Sequence, residues 1–170
     1  MTDHDCQKHL REYTATHNKP YHFVDSGLPN VYLIGVKYRV CRKCGAQAAD
    51  IPAPTKLMNL IAECIVMRPG ILCGPEIRFL RKRLGKRAVD FAGLINNTPE
   101  HFSKLETGSL PLQAATDKLI RLTYSMFSDD KDLLPRISAK VEEWFKAIHA
   151  KKVYSIQIRS ERCGWTRVVA

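Results

Sequence analysis

The 170-residue chain contains no run of about eighteen apolar residues, so no segment reads as a membrane-spanning helix. Its opening, MTDHDCQKHLREY, is polar and lacks the apolar core of a secretory signal, which leads us to expect a cytoplasmic protein. Also missing are a Gly-rich phosphate loop, a Gly-x-Ser-x-Gly elbow and a His-Glu-x-x-His zinc motif. Isolated acids such as Glu142-Glu143 read as ordinary exposed helix charges, and no enzyme is expected. Acid itself is in short supply. Seventeen Asp and Glu face twenty-seven Lys and Arg, a net +10 that favours a polyanionic partner. The 45% hydrophobic and 26% charged content is ordinary for a folded chain long enough for one domain or two small ones.

The charge is unevenly spread. Residues 111 to 150 balance at six basic and six acidic, whereas 71 to 110 carry seven against four and the last twenty carry five against one. The densest cluster before the tail is Arg81-Lys82-Arg83 with Lys86-Arg87. It lies within a stretch, Gly74 to Thr123, that reads as short helices separated by turns. Ile77, Leu80 and Leu84 recur at helical spacing until Gly85 stops them. Ala88, Phe91, Ala92 and Ile95 share the face of a second helix of about two turns. Asn96-Asn97 is a turn signal, because Asn tolerates the left-handed conformation. Thr98 then caps a third helix, with Pro99 at its first position, where its missing N–H costs nothing. Phe102 and Leu105 anchor that helix and Gly108 ends it. Two short helices, a tight turn and a basic helix in front are what a DNA-binding helix-turn-helix requires.

The run from Arg87 to Gly108 resembles the Xre, or lambda-repressor-like, helix-turn-helix. The third helix of that family ends in Ser-Arg-hydrophobic-Glu-x-Gly, and here the sequence is Ser103-Lys104-Leu105-Glu106-Thr107-Gly108. The family's second helix begins Ser/Thr-Gln, whereas this one begins Arg87-Ala88, with Arg87 standing in as a charged contact. In such a motif the first turn of the third helix meets base edges in the major groove, which nominates Thr98, Glu100, His101 and Lys104. Lys104 would donate to guanine and Glu100 would accept from cytosine N4. Arg87, Asn97 and Ser103 are expected at phosphates, and so is the basic cluster of Arg81, Lys82 and Lys86, where each neutralised phosphate releases counterions.

The first fifty residues hold Cys6-x2-His9 and, after an insert of 31 residues, Cys41-x2-Cys44-Gly45. Cys-x2-Cys followed by Gly bends the backbone so that two thiolates converge on one ion, and a second half-site completes a tetrahedral, closed, structural zinc (Zn2+) site. Cys6, His9, Cys41 and Cys44 are the expected ligands, with His4, His17 or His22 as alternatives to His9. Between the half-sites, Tyr21, Phe23, Val31, Leu33, Val36, Tyr38 and Val40 alternate loosely with polar residues, broken by a turn at Ser26 to Asn30. This is the pattern of a small antiparallel sheet that a structural metal would stabilise. After a stiff connector at 50 to 55, Thr55 is expected to cap a helix with Leu57, Leu60, Ile61, Cys64 and Ile65 on one stripe. Cys64 reads as a small buried hydrophobe, and Cys73 as a tolerated cap rather than a chemical group.

This order, knuckle, strands with Pro20-Tyr21-His22-Phe23 and Val31-Tyr32-Leu33-Ile34-Gly35, Cys-x2-Cys, linker and helix-turn-helix, resembles the MqsA-type antitoxins over roughly residues 6 to 125. The resemblance implies a zinc-binding N-terminal domain able to engage a cognate toxin protein, and a helix-turn-helix domain that forms a homodimer on a double-stranded DNA operator. Two departures stand out: the first knuckle is Cys-x2-His, and about 45 residues follow the helix-turn-helix. In that tail Ala114, Leu119, Ile120, Leu122, Met126 and Phe127 are expected to form a helix closing the bundle core. Ile137, Val141, Trp144, Phe145 and Ile148 form another, with Trp144 and Phe145 in the core or at a dimer interface. Val153 to Ile158 and Trp165 to Val169 read as a hairpin that pairs with the N-terminal sheet or with another subunit.

The fold expected is α+β. It comprises a zinc-ribbon-like β domain (1–52), a linker helix (53–72), a lambda-repressor-like all-α helix-turn-helix domain (73–128), and a C-terminal helix with β-hairpin (129–170) as a dimerisation element. The function expected is a sequence-specific DNA-binding regulator, a dimeric repressor of its own operon, as antitoxin of a type II pair. The alternative is a zinc-ribbon protein-interaction module with the helix-turn-helix as scaffold.

Overall fold

The structure, a computed structural model, describes residues 9–140, 155–161 and 164–168. It is a mixed α+β chain that divides into two compact units. The first comprises the described parts of Met1–Asp25, Pro29–Leu60 and Ser155–Ala170; the second comprises Ser26–Leu28 and the described parts of Ile61–Tyr154.

In the first unit, β1 (Leu10–Thr14), β4 (Lys37–Cys41) and β5 (Gln47–Ala49) form an antiparallel sheet in the order β1-β4-β5. A second sheet runs β2 (Tyr21–His22), β3 (Val31–Ile34), β6 (Ile156–Glu161), β7 (Gly164–Val168). The alternating residues Tyr21, Phe23, Val31, Leu33, Val36 and Tyr38 are all buried, as their period-2 pattern requires. Tyr38 stacks on Tyr13 at 5.6 Å and meets Tyr21 at 5.2 Å between ring centroids. The C-terminal strands pair with the N-terminal sheet. β6 lies parallel to β3, Val31 opposite Ile156 and Leu33 opposite Ile158, and turns back as antiparallel β7. A parallel neighbour needs a long crossover, and among the described residues the six α-helices lie between β3 and β6 in sequence. Gly35, at φ +79°, admits this pairing, because a Cβ there would come within 3.1 Å of the Ser160 carbonyl oxygen. Trp165 donates its indole N–H to the Pro52 carbonyl at 2.8 Å.

The helices follow the punctuation of the sequence: α1 (Pro54–Met67), α2 (Gly74–Arg83), α3 (Ala88–Leu94), α4 (Pro99–Thr107), α5 (Ala114–Phe127) and α6 (Leu133–Ser138). α1 begins one residue ahead of Thr55, with Pro54 in its first turn. Leu57, Ile61, Cys64 and Ile65 form its buried stripe. Its last carbonyls are collected by a single buried side chain. Arg121 donates to the carbonyls of Ile65, Val66, Arg68 and Gly70 at 2.6–3.1 Å and pairs with Asp117 at 2.9 Å. Asp117 also accepts the Leu72 N–H at 2.7 Å. Burial pushes the Arg121 guanidinium's pKa down, and the carboxylate of Asp117 opposes that shift. A second ion pair joins Arg68 to Glu76, which also accepts the Cys73 N–H at 2.8 Å.

This polar arrangement corrects one expectation. The buried face of α5 carries Asp117, Ile120, Arg121, Thr123, Tyr124 and Ser125. Leu119, Met126 and Phe127, expected in the core, are 41%, 66% and 50% exposed. Arg121 must lie inside to reach the end of α1, and rotating it inward turns the apolar stripe out. Ile137 is buried in α6, whereas Val141, Trp144, Phe145 and Ile148 lie outside the described residues. Among the described residues, no helix is long and apolar enough to cross a membrane.

Candidate nucleic-acid interface

α3 and α4 meet through Phe91 and Phe102, whose rings sit 5.3 Å apart and are both fully buried. The turn between them is fixed by short-range chemistry. Asn96 takes the left-handed conformation at φ +51°, and Asn97 donates its N–H back to the Ala92 carbonyl at 2.8 Å. The Asn97 side chain accepts the Thr98 N–H at 3.1 Å, and the Thr98 hydroxyl caps α4 by accepting the His101 N–H at 3.2 Å. At the other end Gly108, at φ +75°, closes α4 with its N–H on Leu105.

α2 braces α4. Gly74 abuts the end of α4 so closely that a Cβ would lie 2.5 Å from the Glu106 carbonyl oxygen. Arg81 extends from α2 to Glu106, donating at 2.7 and 3.1 Å, and spends a third N–H on the Lys86 carbonyl at 2.8 Å. One guanidinium thus joins α2, the α2–α3 loop and α4. Arg78 stands 3.8 Å from the same carboxylate. The motif Ser103 to Gly108 thereby acquires physical reasons. Leu105 packs inward, Glu106 is the buried counter-ion of Arg81, Gly108 supplies the left-handed cap, and Ser103 and Lys104 point out.

Each nominated residue has a definite place. Thr98, Glu100, His101, Ser103 and Lys104 are exposed along one side of α4, while Phe102, Leu105 and Glu106 are buried on the other. Glu100, in the first turn, also suits the positive end of the helix dipole. Asn97 is half-buried at the turn and Lys82 is exposed on α2. Lys86 is half-buried, its Nζ 5.9 Å over the Phe127 ring. Arg87, the N-cap of α3, is exposed and holds Asp90 in a two-point ion pair at 2.8 and 2.9 Å. Hydrogen bonding from Arg87 keeps the Asp90 carboxyl below the usual carboxylate range. Arg81 is the departure. With its side chain 12% exposed and three of its five N–H groups on Glu106 and Lys86, it braces the bundle here instead of standing in solvent like Lys82. Sequence reasoning could not separate it from Lys82, because the partner that draws it inward is 25 residues away.

At the knuckle, β1 pairs with β4 so that Leu10 faces Cys41, and Arg42 donates its N–H to the His9 carbonyl at 3.0 Å. The main chain therefore carries His9 beside the Cys41–Cys44 turn, which closes with Gly45 N–H on the Cys41 carbonyl at 2.8 Å. Cys6 lies outside the described residues. Among the described residues, no three His, Cys, Asp or Glu side chains are gathered as a metal-binding group, so His9, Cys41 and Cys44 do not form one by themselves. Of the other thiols, Cys64 is buried on α1. Cys73 is pushed up to about 11 by burial and by the Glu76 carboxylate, so it stays protonated and unreactive near neutrality.

No protein-family model, curated protein or solved structure matches the chain.

Proposed function

We propose that this chain is a sequence-specific DNA-binding regulator that reads a double-stranded operator with α4. The supporting observation is the division of α4 into two sides: Phe102, Leu105 and Glu106 are buried, Phe102 against Phe91 of α3 and Glu106 against Arg81 of α2, and the first-turn side chains stand in solvent. A reading helix needs that combination, because base contacts in the major groove are worth their full energy only when the helix does not have to be ordered on binding. The basic neighbours Lys82 and Arg87, with Lys86 close by, supply phosphate contacts that fix register without reading sequence. Arg81, held by Glu106 and the Lys86 carbonyl, is left out of this phosphate set. The chain's excess of ten positive charges favours association with a polyanion.

In its fuller form the proposal is a homodimeric repressor of its own operon, with zinc on Cys6, His9, Cys41 and Cys44 and a toxin as protein partner. The antiparallel register that seats His9 beside the Cys41–Cys44 turn supports the zinc half, and the resemblance in motif order supports the toxin half. Metal bound there would tie the start of β1 to the turn after β4 and add to the stability of the β unit. Metal content of the purified protein, before and after chelation, decides it.

The DNA reading is tested by fluorescence anisotropy with duplexes tiled across the region upstream of the chain's own gene. Lys104→Ala is expected to cost about 1–3 kcal/mol on the preferred site and to relax one base position. An unchanged isotherm together with unchanged preference would remove Lys104 from the reading set. Absence of any salt-dependent binding would remove the proposal.

A further inference from the structure

The Lys86 ammonium stands 5.9 Å over the ring of Phe127, the last residue of α5. That ring is 50% exposed, so core packing accounts for only part of its place. The cations between residues 81 and 87 are thus held in two ways. Arg81 is held by the Glu106 carboxylate and Arg87 by the Asp90 carboxylate, and each acid offsets the charge it positions. Lys86 is held by an aromatic face, which attracts a cation through its quadrupole and carries no net charge. Its positive charge stays whole. Among the described residues no carboxylate forms an ion pair with Lys86, and Asp90, which feels its charge, is bound by Arg87. We propose that Phe127 is a positioning residue of the DNA interface: it pins the Lys86 ammonium beside the start of α3, ready for a phosphate, without neutralising it.

Two further observations support the assignment. The first is that the ring has a fixed seat. α5 packs on α2, and the buried Tyr124, three residues before Phe127, hydrogen-bonds with the Arg83 side chain at the end of α2. The last turn of α5 is therefore anchored against the basic cluster. The second is that Lys86 is fixed at both ends. Its main-chain carbonyl accepts from Arg81 at 2.8 Å, and its ammonium lies over the ring. A lysine held at backbone and head loses less rotamer freedom on meeting a phosphate than an exposed one such as Lys82. The ammonium has three N–H donors, and a ring on one side leaves donors for an anion on the other.

Phe127 has this role only if α4 reads an operator, and a double-mutant cycle in the full chain separates the two claims. Binding is followed by fluorescence anisotropy on the preferred upstream duplex. Lys86→Met should weaken it and reduce the salt slope by about one. Phe127→Leu, which keeps apolar bulk and removes the π face, should weaken it about two- to fivefold with the slope unchanged. In the Lys86→Met background the same substitution should have no effect, since nothing remains for the ring to position. Phe127→Trp should bind as well as wild type, because indole offers a cation the strongest face. In the free protein the Lys86 ε-methylene protons should carry an upfield ring-current shift in NMR spectra, and Phe127→Leu should abolish it. Equal losses in both backgrounds overturn the proposal. So do a Phe127→Leu protein that binds like wild type, a Phe127→Trp protein as weak as Phe127→Leu, or Lys86 protons without the shift. Wild-type protein that binds no duplex removes the reading of α4 and this role with it, whereas wild-type binding with an additive cycle removes the role of Phe127 alone.

Discussion

Three of the arginines that hold a carboxylate in the helical unit do so in two different settings. Arg121 with Asp117 and Arg81 with Glu106 are inside the bundle, whereas Arg87 with Asp90 stands in solvent. All three pairs have short contacts at 2.7–2.9 Å, so distance does not distinguish them. What does is the number of further groups each arginine satisfies. Arg121 caps four carbonyls of the α1 end and Arg81 one of the α2–α3 loop, whereas the hydrogen bonds of Arg87 here go to Asp90. Buried, a guanidinium fixes helices in place; exposed, it remains able to exchange its carboxylate for another anion.

The largest effect should come from Arg121. Its replacement by Ala leaves Asp117 and the terminal carbonyls of α1 buried without their donor, and a cost of about 3–5 kcal/mol is expected. Urea denaturation measures it. If Arg121→Ala shifted the midpoint no more than a surface control, the contrast between interior and surface arginines would fail. Arg81→Ala should rank next, at about 3 kcal/mol, since its side chain is slightly more open and it satisfies fewer groups. This variant also separates brace from grip. A brace lowers stability while the salt slope of DNA binding by the folded fraction stays unchanged; a phosphate contact would instead reduce that slope by about one with little change in stability.

Much of this unit was legible in the sequence because its signals are local. Thr98, Pro99, Asn96 and Gly108 act within four residues of themselves, and each sits where its cap or turn chemistry requires. The alternation from Tyr21 to Tyr38 similarly records which face is buried. What escaped depends on distant partners. β1 carries no alternation because nearly all of it is exposed, and it exists through its ladder with β4. The orientation of α5 was hidden because an arginine, normally an outside residue, takes the inside position to reach backbone more than fifty residues away. Arg81 and Lys82 look alike in a basic run, and only Glu106 tells them apart. At the candidate site, the outward residues of α4 were legible from spacing alone, while the brace behind them was not. The hairpin was readable as two strands with the N-terminal sheet as one of two open partners, but its parallel pairing with β3 left no local signal.

The smallest expected effect concerns the exposed pair, and it tests whether Arg87 is held in reserve. Asp90→Asn removes the competitor without touching any buried group, so the thermal midpoint should not move measurably. Arg87 would then be released toward phosphate, and the salt slope of DNA binding should steepen by up to about one. Acid should imitate the substitution. Because Arg87 lowers the Asp90 pKa, the pair's small contribution is fully present above the unfolded-state value and is lost as pH falls through the lowered folded-state value. In wild-type protein the steeper salt slope should therefore emerge only on the acid side of the ordinary carboxylate range, whereas Asp90→Asn should have it at every pH. If the variant's slope matched wild type at neutral pH, Arg87 would belong with the structural arginines, and the division between interior and surface would have to be drawn elsewhere.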